Sequence, residues 1–184
     1  MTLDTTKTQA LTDAQLRDVR VAIDVTVGGN DVGTITLELW PQAAPKTVRN
    51  FLRYASEGFY NGIAFHRVVK GFMIQGGCPL GTGTGNGTHG TIPGEFSNAA
   101  EFSHKRGVIS MARTSDPNSA SCQFFICHGD AEFLDGQYAA FGRMVDGDAA
   151  LDAVGSVGTT MSGGEKSKPT EKVVIKSMTV NLGA

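Results

Sequence analysis

The sequence is short of several things that common functions require. Charged residues make up 18% of its 184 positions, formal net charge is −2, and no cationic cluster is denser than His104-Lys105-Arg106. The basic face that grips a phosphodiester backbone is therefore missing. No apolar run approaches the roughly 20 residues a bilayer span demands. The stretch from Met1 to Arg20 is broken by Asp4, Lys7, Asp13, Arg17 and Asp18, so no secretory h-region is expected. A soluble cytoplasmic protein without nucleic-acid or membrane partners is the expectation. Only three cysteines occur, Cys78, Cys122 and Cys127. An odd number without CxxC spacing argues against a disulfide framework and for buried, reduced thiols. The histidines lack the i, i+4 or HxH spacing of a metal site, and there is neither a GxSxG elbow nor a GK[ST] sequence. No metal or cofactor is expected.

Proline is scarce too, at 6, whereas glycine is abundant at 24, which favours short strands joined by tight turns over a helical bundle. Val19, Val21, Ile23, Val25 and Val27 alternate with polar or small residues, the period of a strand with one buried face. Gly28-Gly29-Asn30-Asp31 reads as a turn, and Ile35, Leu37 and Leu39 alternate beyond it. A β-hairpin is predicted here. The period then changes: Pro45 suits a helical first turn, Val48, Phe51, Leu52 and Ala55 recur at helical spacing, and Gly58 can end the helix. A second short helix is predicted over 148–154. Short apolar runs broken by glycine follow, and 173–180 reads as a last strand. The prediction is a mainly β fold of seven or eight short strands with two isolated helices, for which a closed antiparallel barrel is the economical arrangement, because closure removes exposed sheet edges. Residues 1–18 read as a polar N-terminal extension, in which 11–16 can make a helical turn or two, and 19–184 as the domain.

One glycine motif invites a nucleotide. Gly85-Asn86-Gly87-Thr88-His89-Gly90 matches GxGxxG, but the mechanism needs a strand before it and a helix N-terminus after it. Thr91-Ile92-Pro93-Gly94 follows instead, so a loop is the better reading. Cys122 and Cys127 lie within an apolar segment where a thiol is inert. A hydrolase built on His66, His104 or His128 has no motif to support it.

The segment Phe65-His66-Arg67-Val68-Val69-Lys70-Gly71-Phe72-Met73-Ile74-Gln75-Gly76-Gly77 is different. Strict alternation puts Phe65 and Arg67 on one face and His66 and Val68 on the other. A guanidinium beside a phenyl, a thioether and a carboxamide makes a poor core and a coherent binding face.

These residues, together with the Gly-Thr-rich loop 81–87, Ser110-Met111-Ala112-Arg113, Gln123-Phe124-Phe125-Ile126, Phe133-Leu134-Asp135-Gly136 and Ala140-Phe141-Gly142-Arg143-Met144, resemble the cyclophilins. Ala44-Pro45-Lys46-Thr47-Val48-Arg49-Asn50-Phe51 is similar to the family's first helix, and the matches run in order from 19 to 182. The resemblance implies a closed eight-stranded antiparallel β-barrel capped by two α-helices, and a peptidyl-prolyl cis/trans isomerase that assists protein folding, with no cofactor, acting as a monomer on proline-containing peptides and flexible protein segments. It implies Arg67 as the catalytic arginine, with Phe72 and Gln75 in the catalytic group. Met73, Phe125 and Leu134 complete the proline pocket; Gln123 is a polar support, and Ala112 and Arg113 pair with substrate backbone. Arg113 stands where the family commonly has asparagine, which should shift subsite preference towards acidic residues. Phe133 stands in place of a tryptophan whose indole N–H can bond cyclosporin, and Tyr138 in place of a rim histidine. Weakened cyclosporin binding is the expected consequence. The competing readings are a proline-motif binding or chaperone module on the same barrel, and a nucleotide-dependent oxidoreductase built on the glycine loop.

Overall fold

The computed structural model describes residues 2–183. Its elements, in chain order, are α1 (Thr5–Ala10), α2 (Asp13–Leu16), β1 (Val19–Val27), β2 (Asn30–Leu39), α3 (Pro45–Ser56), β3 (Phe65–Val69), β4 (Met73–Gly76), β5 (Val108–Met111), β6 (Phe124–Cys127), β7 (Ala140–Asp146), α4 (Asp148–Gly155), β8 (Thr159–Ser162), β9 (Glu165–Pro169) and β10 (Val173–Leu182). Eight strands form one antiparallel sheet in the order β10-β1-β2-β7-β5-β6-β4-β3. The sheet curls until its ends meet: Ala64, just ahead of β3, bridges Val174, and Ile175 exchanges backbone hydrogen bonds with Gly62 (2.7 Å) and Ile63 (2.9 Å). This is the mainly β, eight-stranded architecture that the resemblance implies, within the seven or eight strands read from the apolar runs. β8 and β9 were not anticipated; they pair only with each other, as a separate hairpin.

The β1–β2 hairpin turns on Gly28 and Gly29, whose φ values of 58° and 86° lie in the left-handed region that glycine enters without strain. The inward residues Val21, Ile23, Ile35 and Leu37 have no exposed surface. α3 buries Val48, Phe51, Leu52 and Ala55 as its periodicity predicts. Phe51 sits 5.1–5.5 Å from the rings of Tyr60, Phe124 and Phe141, and full burial of such a side chain contributes roughly 1.5–3 kcal/mol. The helix ends in a Schellman motif, with Gly58 N–H donating to Ala55 O and Phe59 N–H to Tyr54 O. Its first turn has no local cap. Instead the Glu95 carboxylate, brought from a distant loop, accepts from the Lys46 and Thr47 amides at 3.2 and 2.8 Å.

The N-terminal segment is docked. Asp4 caps α1 and a Thr12–Gln15 capping box opens α2. Leu3 and Leu16 enter the core, Thr2 bridges Asn181, and α1 lies along α3. No helix among the described residues is long and apolar enough to cross a membrane.

The eight-stranded sheet carries apolar residues on both faces. The interior holds the main core, including Phe65, Val68, Ile74 and Phe124. A smaller apolar cluster of Met73, Phe125, Cys127 and Leu134 lies on the outer face of the same strands, and the candidate site is built there.

Candidate active site

The pairing register assembles the site. Arg67 on β3 lies opposite Gln75 on β4, Gln75 opposite Phe125 on β6, and Phe125 opposite Ser110 on β5. Four strands thus contribute one row on the outer face. Strict alternation predicts Phe65 and Arg67 on the same face, and the structure corrects this. The register slips between Phe65, opposite Gly76, and Arg67, opposite Gln75, so one extra residue is inserted at His66. Such a bulge reverses the phase of the strand. Phe65 and Val68 both enter the interior and Arg67 emerges outside.

Arg67 is held from two sides. Its Nη1 donates to Gln75 Oε1 at 3.1 Å, while Nε and Nη2 donate to the two oxygens of Glu165 at 2.7 and 2.8 Å. Three of the five N–H groups of a guanidinium are thereby engaged. The Glu165 hydrogen bonds push the Arg67 pKa further up, so its charge is permanent, and Arg67 in turn holds the Glu165 carboxyl below its usual range. Gln75 Nε2 donates to Gln123 Oε1 at 3.2 Å, and Gln123 Nε2 donates to the carbonyls of Gly83 and Gly85, each at 2.9 Å. Each amide atom in this relay has a partner, which fixes the orientation of both side chains.

The relay also explains the glycine loop. Its amides are spent internally: Gly83 and Gly85 donate to the Cys78 sulfur, Gly87 to Ser121 Oγ, and His89 N–H to the Tyr54 hydroxyl. No helix follows it, and none of these amides is open to a pyrophosphate. The loop supports Gln123.

The apolar side of the site is fixed from beneath. Phe125 stacks on the His104 ring (6.1 Å between centroids, 17° between planes) and meets Tyr138 edge-on at 5.8 Å. His104 Nδ1 is 2.7 Å from Asp135 Oδ1 and its Nε2 is 2.9 Å from Ser110 Oγ. The three form a Ser-His-Asp array, but Ser110 has no exposed surface and His104 is 1% exposed, so the hydroxyl cannot reach a substrate. The array locks the Phe125 platform. Phe72 is presented by the turn at Gly71 (φ 77°), whose N–H donates to His128 Nδ1 at 2.9 Å; His128 in turn contacts Asp152. The Phe133 ring, two-thirds exposed, packs on Phe72 at 5.5 Å.

All of the site residues expected from sequence line one cleft of about 1000 Å³ except Gln123, which stands behind it. At the rim the Arg113 guanidinium lies over the Tyr138 ring at 4.6 Å and donates to the carbonyls of Gln137 and Thr114. Sequence reasoning missed Glu165, His104, Asp135, Ser110 and His128. All three cysteines are buried and unpaired, and burial pushes the thiols of Cys122 to about 11 and Cys127 to about 12. At Cys78 burial also raises the thiol, but the loop amides of Gly85 and Gly83 outweigh it and hold it below its ordinary value, with no surface exposed to a reactant.

The buried imidazoles set a pH dependence for the fold. Burial pushes His66 and His104 below the ordinary imidazole range, an effect that Asp135 only partly offsets at His104. The unfolded chain therefore takes up protons near pH 6.5 that the folded chain refuses, and stability falls with acidification through that region. Asp24 and Glu165, whose carboxyls hydrogen bonds hold low, add a second loss nearer pH 4. A thermal-unfolding series at constant ionic strength should show Tm decreasing from pH 7 to pH 5. A flat or rising Tm over that span would contradict this.

Comparison with known proteins agrees with the geometry. The family model for cyclophilin type peptidyl-prolyl cis-trans isomerases matches residues 22–180. A Helicobacter pylori protein named peptidyl-prolyl cis-trans isomerase is 42% identical over 154 residues, covering 83% of this chain and 90% of that one. The Arabidopsis thaliana peptidyl-prolyl cis-trans isomerase CYP57 is 44% identical over 119 residues, which are 64% of this chain and 23% of that longer protein. A Cryptosporidium parvum cyclophilin type isomerase, crystallised in the presence of the dipeptide Ala-Pro, superposes with a TM-score of 0.77 at 32% identity, over 88% of this chain and 98% of that one. A barrel with a filled interior, an outer-face arginine row and ordered motifs in this register have one family in common: the chain belongs to the cyclophilin-type peptidyl-prolyl cis-trans isomerases.

Proposed function

We propose that the protein rotates Xaa-Pro peptide bonds in flexible protein segments, with Arg67 as the group that stabilises the twisted amide. The observation that carries this is the Arg67 guanidinium, held on one register row with Gln75 and facing an apolar wall of Met73, Phe125 and Leu134. Rotation breaks amide resonance against a barrier of about 18–20 kcal/mol. No covalent bond is exchanged, so a nucleophile has no task. Charge redistributes as the amide twists: the proline nitrogen recovers its lone pair. A permanent cation can donate to that nitrogen or hold the rotating carbonyl oxygen. Two N–H groups, one on Nη1 and one on Nη2, are free of oxygen acceptors among the described residues. Beside an apolar wall the local dielectric is low, which strengthens either contact. Phe72, Met73, Phe125 and Leu134 clamp the proline ring so that rotation has a fixed end, and Ala112 and Arg113 flank the peptide backbone.

The catalytic unit is assigned to residues 19–184, with 1–18 as an N-terminal extension, and the protein to the cytoplasm as a monomer. A short Xaa-Pro peptide mixed with catalytic amounts of protein tests the reading. Accelerated cis/trans exchange supports it, whereas a proline-motif binding module would bind the peptide and leave the exchange rate alone. Cyclosporin binding follows from the rim. Phe133 keeps the apolar wall but has no N–H to donate, so Phe133→Trp should tighten cyclosporin by about tenfold, the worth of one hydrogen bond. Titration calorimetry reads this directly, and equal affinities for the two proteins would contradict it.

A further inference from the structure

We infer that Glu165 is a positioning residue for Arg67: its carboxylate, carried over the cleft by the β8–β9 hairpin, holds the guanidinium plane in the orientation from which it acts. The inference rests on Arg67 being the group that stabilises the twisted amide.

An arginine side chain is long and rich in rotamers, and a single hydrogen bond to Gln75 would leave its plane free to turn about that contact. Glu165 supplies the missing constraint. Its two oxygens take Nε and Nη2, the paired geometry that fixes a plane as well as a position. Gln75 Oε1 accepts from Nη1, so acceptors from β4 and β9 grip different edges of one guanidinium.

The pair contributes little to the fold. Its side chains are 37% and 40% exposed, and ion pairs this wet add little to stability. Nor does the hairpin have a core of its own to justify it, since Thr160, Met161 and Ser162 are all exposed. The hairpin turns on Gly163 and Gly164 (φ 57° and 83°), packs β9 against β3, and contributes Glu165 and Lys168 to the cleft wall. A competitor for Arg67 would occupy the donors that substrate needs. Glu165 instead takes Nε and one N–H of Nη2, leaving one N–H on Nη2 and, on Nη1, one that meets only the weak acceptor Met73 Sδ at 4.0 Å.

The test compares Glu165→Ala, Glu165→Gln, Arg67→Ala and the Arg67→Ala/Glu165→Ala double variant on a short Xaa-Pro peptide by NMR exchange, with Tm measured for each. Glu165→Ala should lower kcat about tenfold with KM within about twofold, since the apolar clamp is intact. Glu165→Gln should return kcat to within about threefold of wild type, because its amide oxygen still accepts one bond. In the Arg67→Ala background, Glu165→Ala should change nothing further. Met161→Ala, on the same hairpin, should leave turnover unchanged. Unchanged or increased turnover in Glu165→Ala overturns the inference, as does an equal loss in the Arg67→Ala background or a loss that Glu165→Gln does not relieve. Normal turnover by Arg67→Ala alone would instead remove the reading on which the inference rests.

Discussion

The Arg67→Ala protein is expected to fold as the wild type does and to lose at least two powers of ten in kcat/KM, about 3 kcal/mol of transition-state stabilisation. Both halves of the expectation come from the same geometry. The side chain is half-buried on the outer face, so truncation opens no cavity in the barrel. What is lost to the fold is a wet ion pair and one bond to Gln75, about 1 kcal/mol in all, or a few degrees in Tm for a domain of this size. What is lost to the reaction is the guanidinium placed opposite Gln75 beside the apolar wall. Arg67→Lys should recover little. A lysine ammonium is a point charge without a fixed fork, and it cannot satisfy Glu165 in paired geometry while presenting donors to substrate. A protease-coupled assay at matched enzyme concentration reads the loss.

Phe125→Ala is expected to act differently, through binding and stability together. Phe125 is 5% exposed, stacked on His104 and edge-on to Tyr138, so removing it leaves a void between the wall and the buried Ser-His-Asp array. Truncating a buried phenylalanine costs roughly 3–5 kcal/mol. The lower end applies here, because the site opens onto the cleft and can partly refill with water. Tm should fall by roughly 6–12 °C. KM should rise tenfold or more, since the ring that clamps proline is gone, while Arg67 and its supports remain. Phe125→Leu separates the two effects. It restores most of the apolar volume and the stability but not the flat face, so KM should stay elevated. A Phe125→Ala protein with normal KM and reduced kcat alone would place the ring in the rotation step rather than in binding.

How much of this was legible in the sequence varies with the kind of pattern involved. β1, β2 and α3 each have one buried and one wet face, so their periods report them. The Arg67 motif was legible because its residue types make a poor core, yet its facing was not. A bulge at His66 shifts the phase by one residue, and strict alternation cannot register an insertion. The β8–β9 hairpin escaped altogether, since a strand is recognised by its buried side and this hairpin has almost none. Glu165 meets Arg67 across 98 positions of chain, so no local spacing links them. Glu95 capping α3 from a distant loop is the same case: a helix start without its own cap looks incomplete until tertiary structure supplies one. Residues 1–18 are polar overall, and the isolated anchors Leu3 and Leu16 give no repeating signal, although both are buried.

The account stands on one claim, that the outer-face row of Arg67, Gln75 and Phe125 accelerates rotation about the bond preceding proline. NMR exchange spectroscopy on a short peptide with a single Xaa-Pro bond tests it most directly, because cis and trans resonances report interconversion with no coupling enzyme. Catalytic amounts of the wild-type protein should produce cis–trans exchange cross-peaks within a second, where the uncatalysed bond takes about 10–100 s. The same amount of Arg67→Ala, its fold confirmed by a Tm within a few degrees of wild type, should produce none on that timescale. Equal cross-peaks from the two proteins would contradict the account.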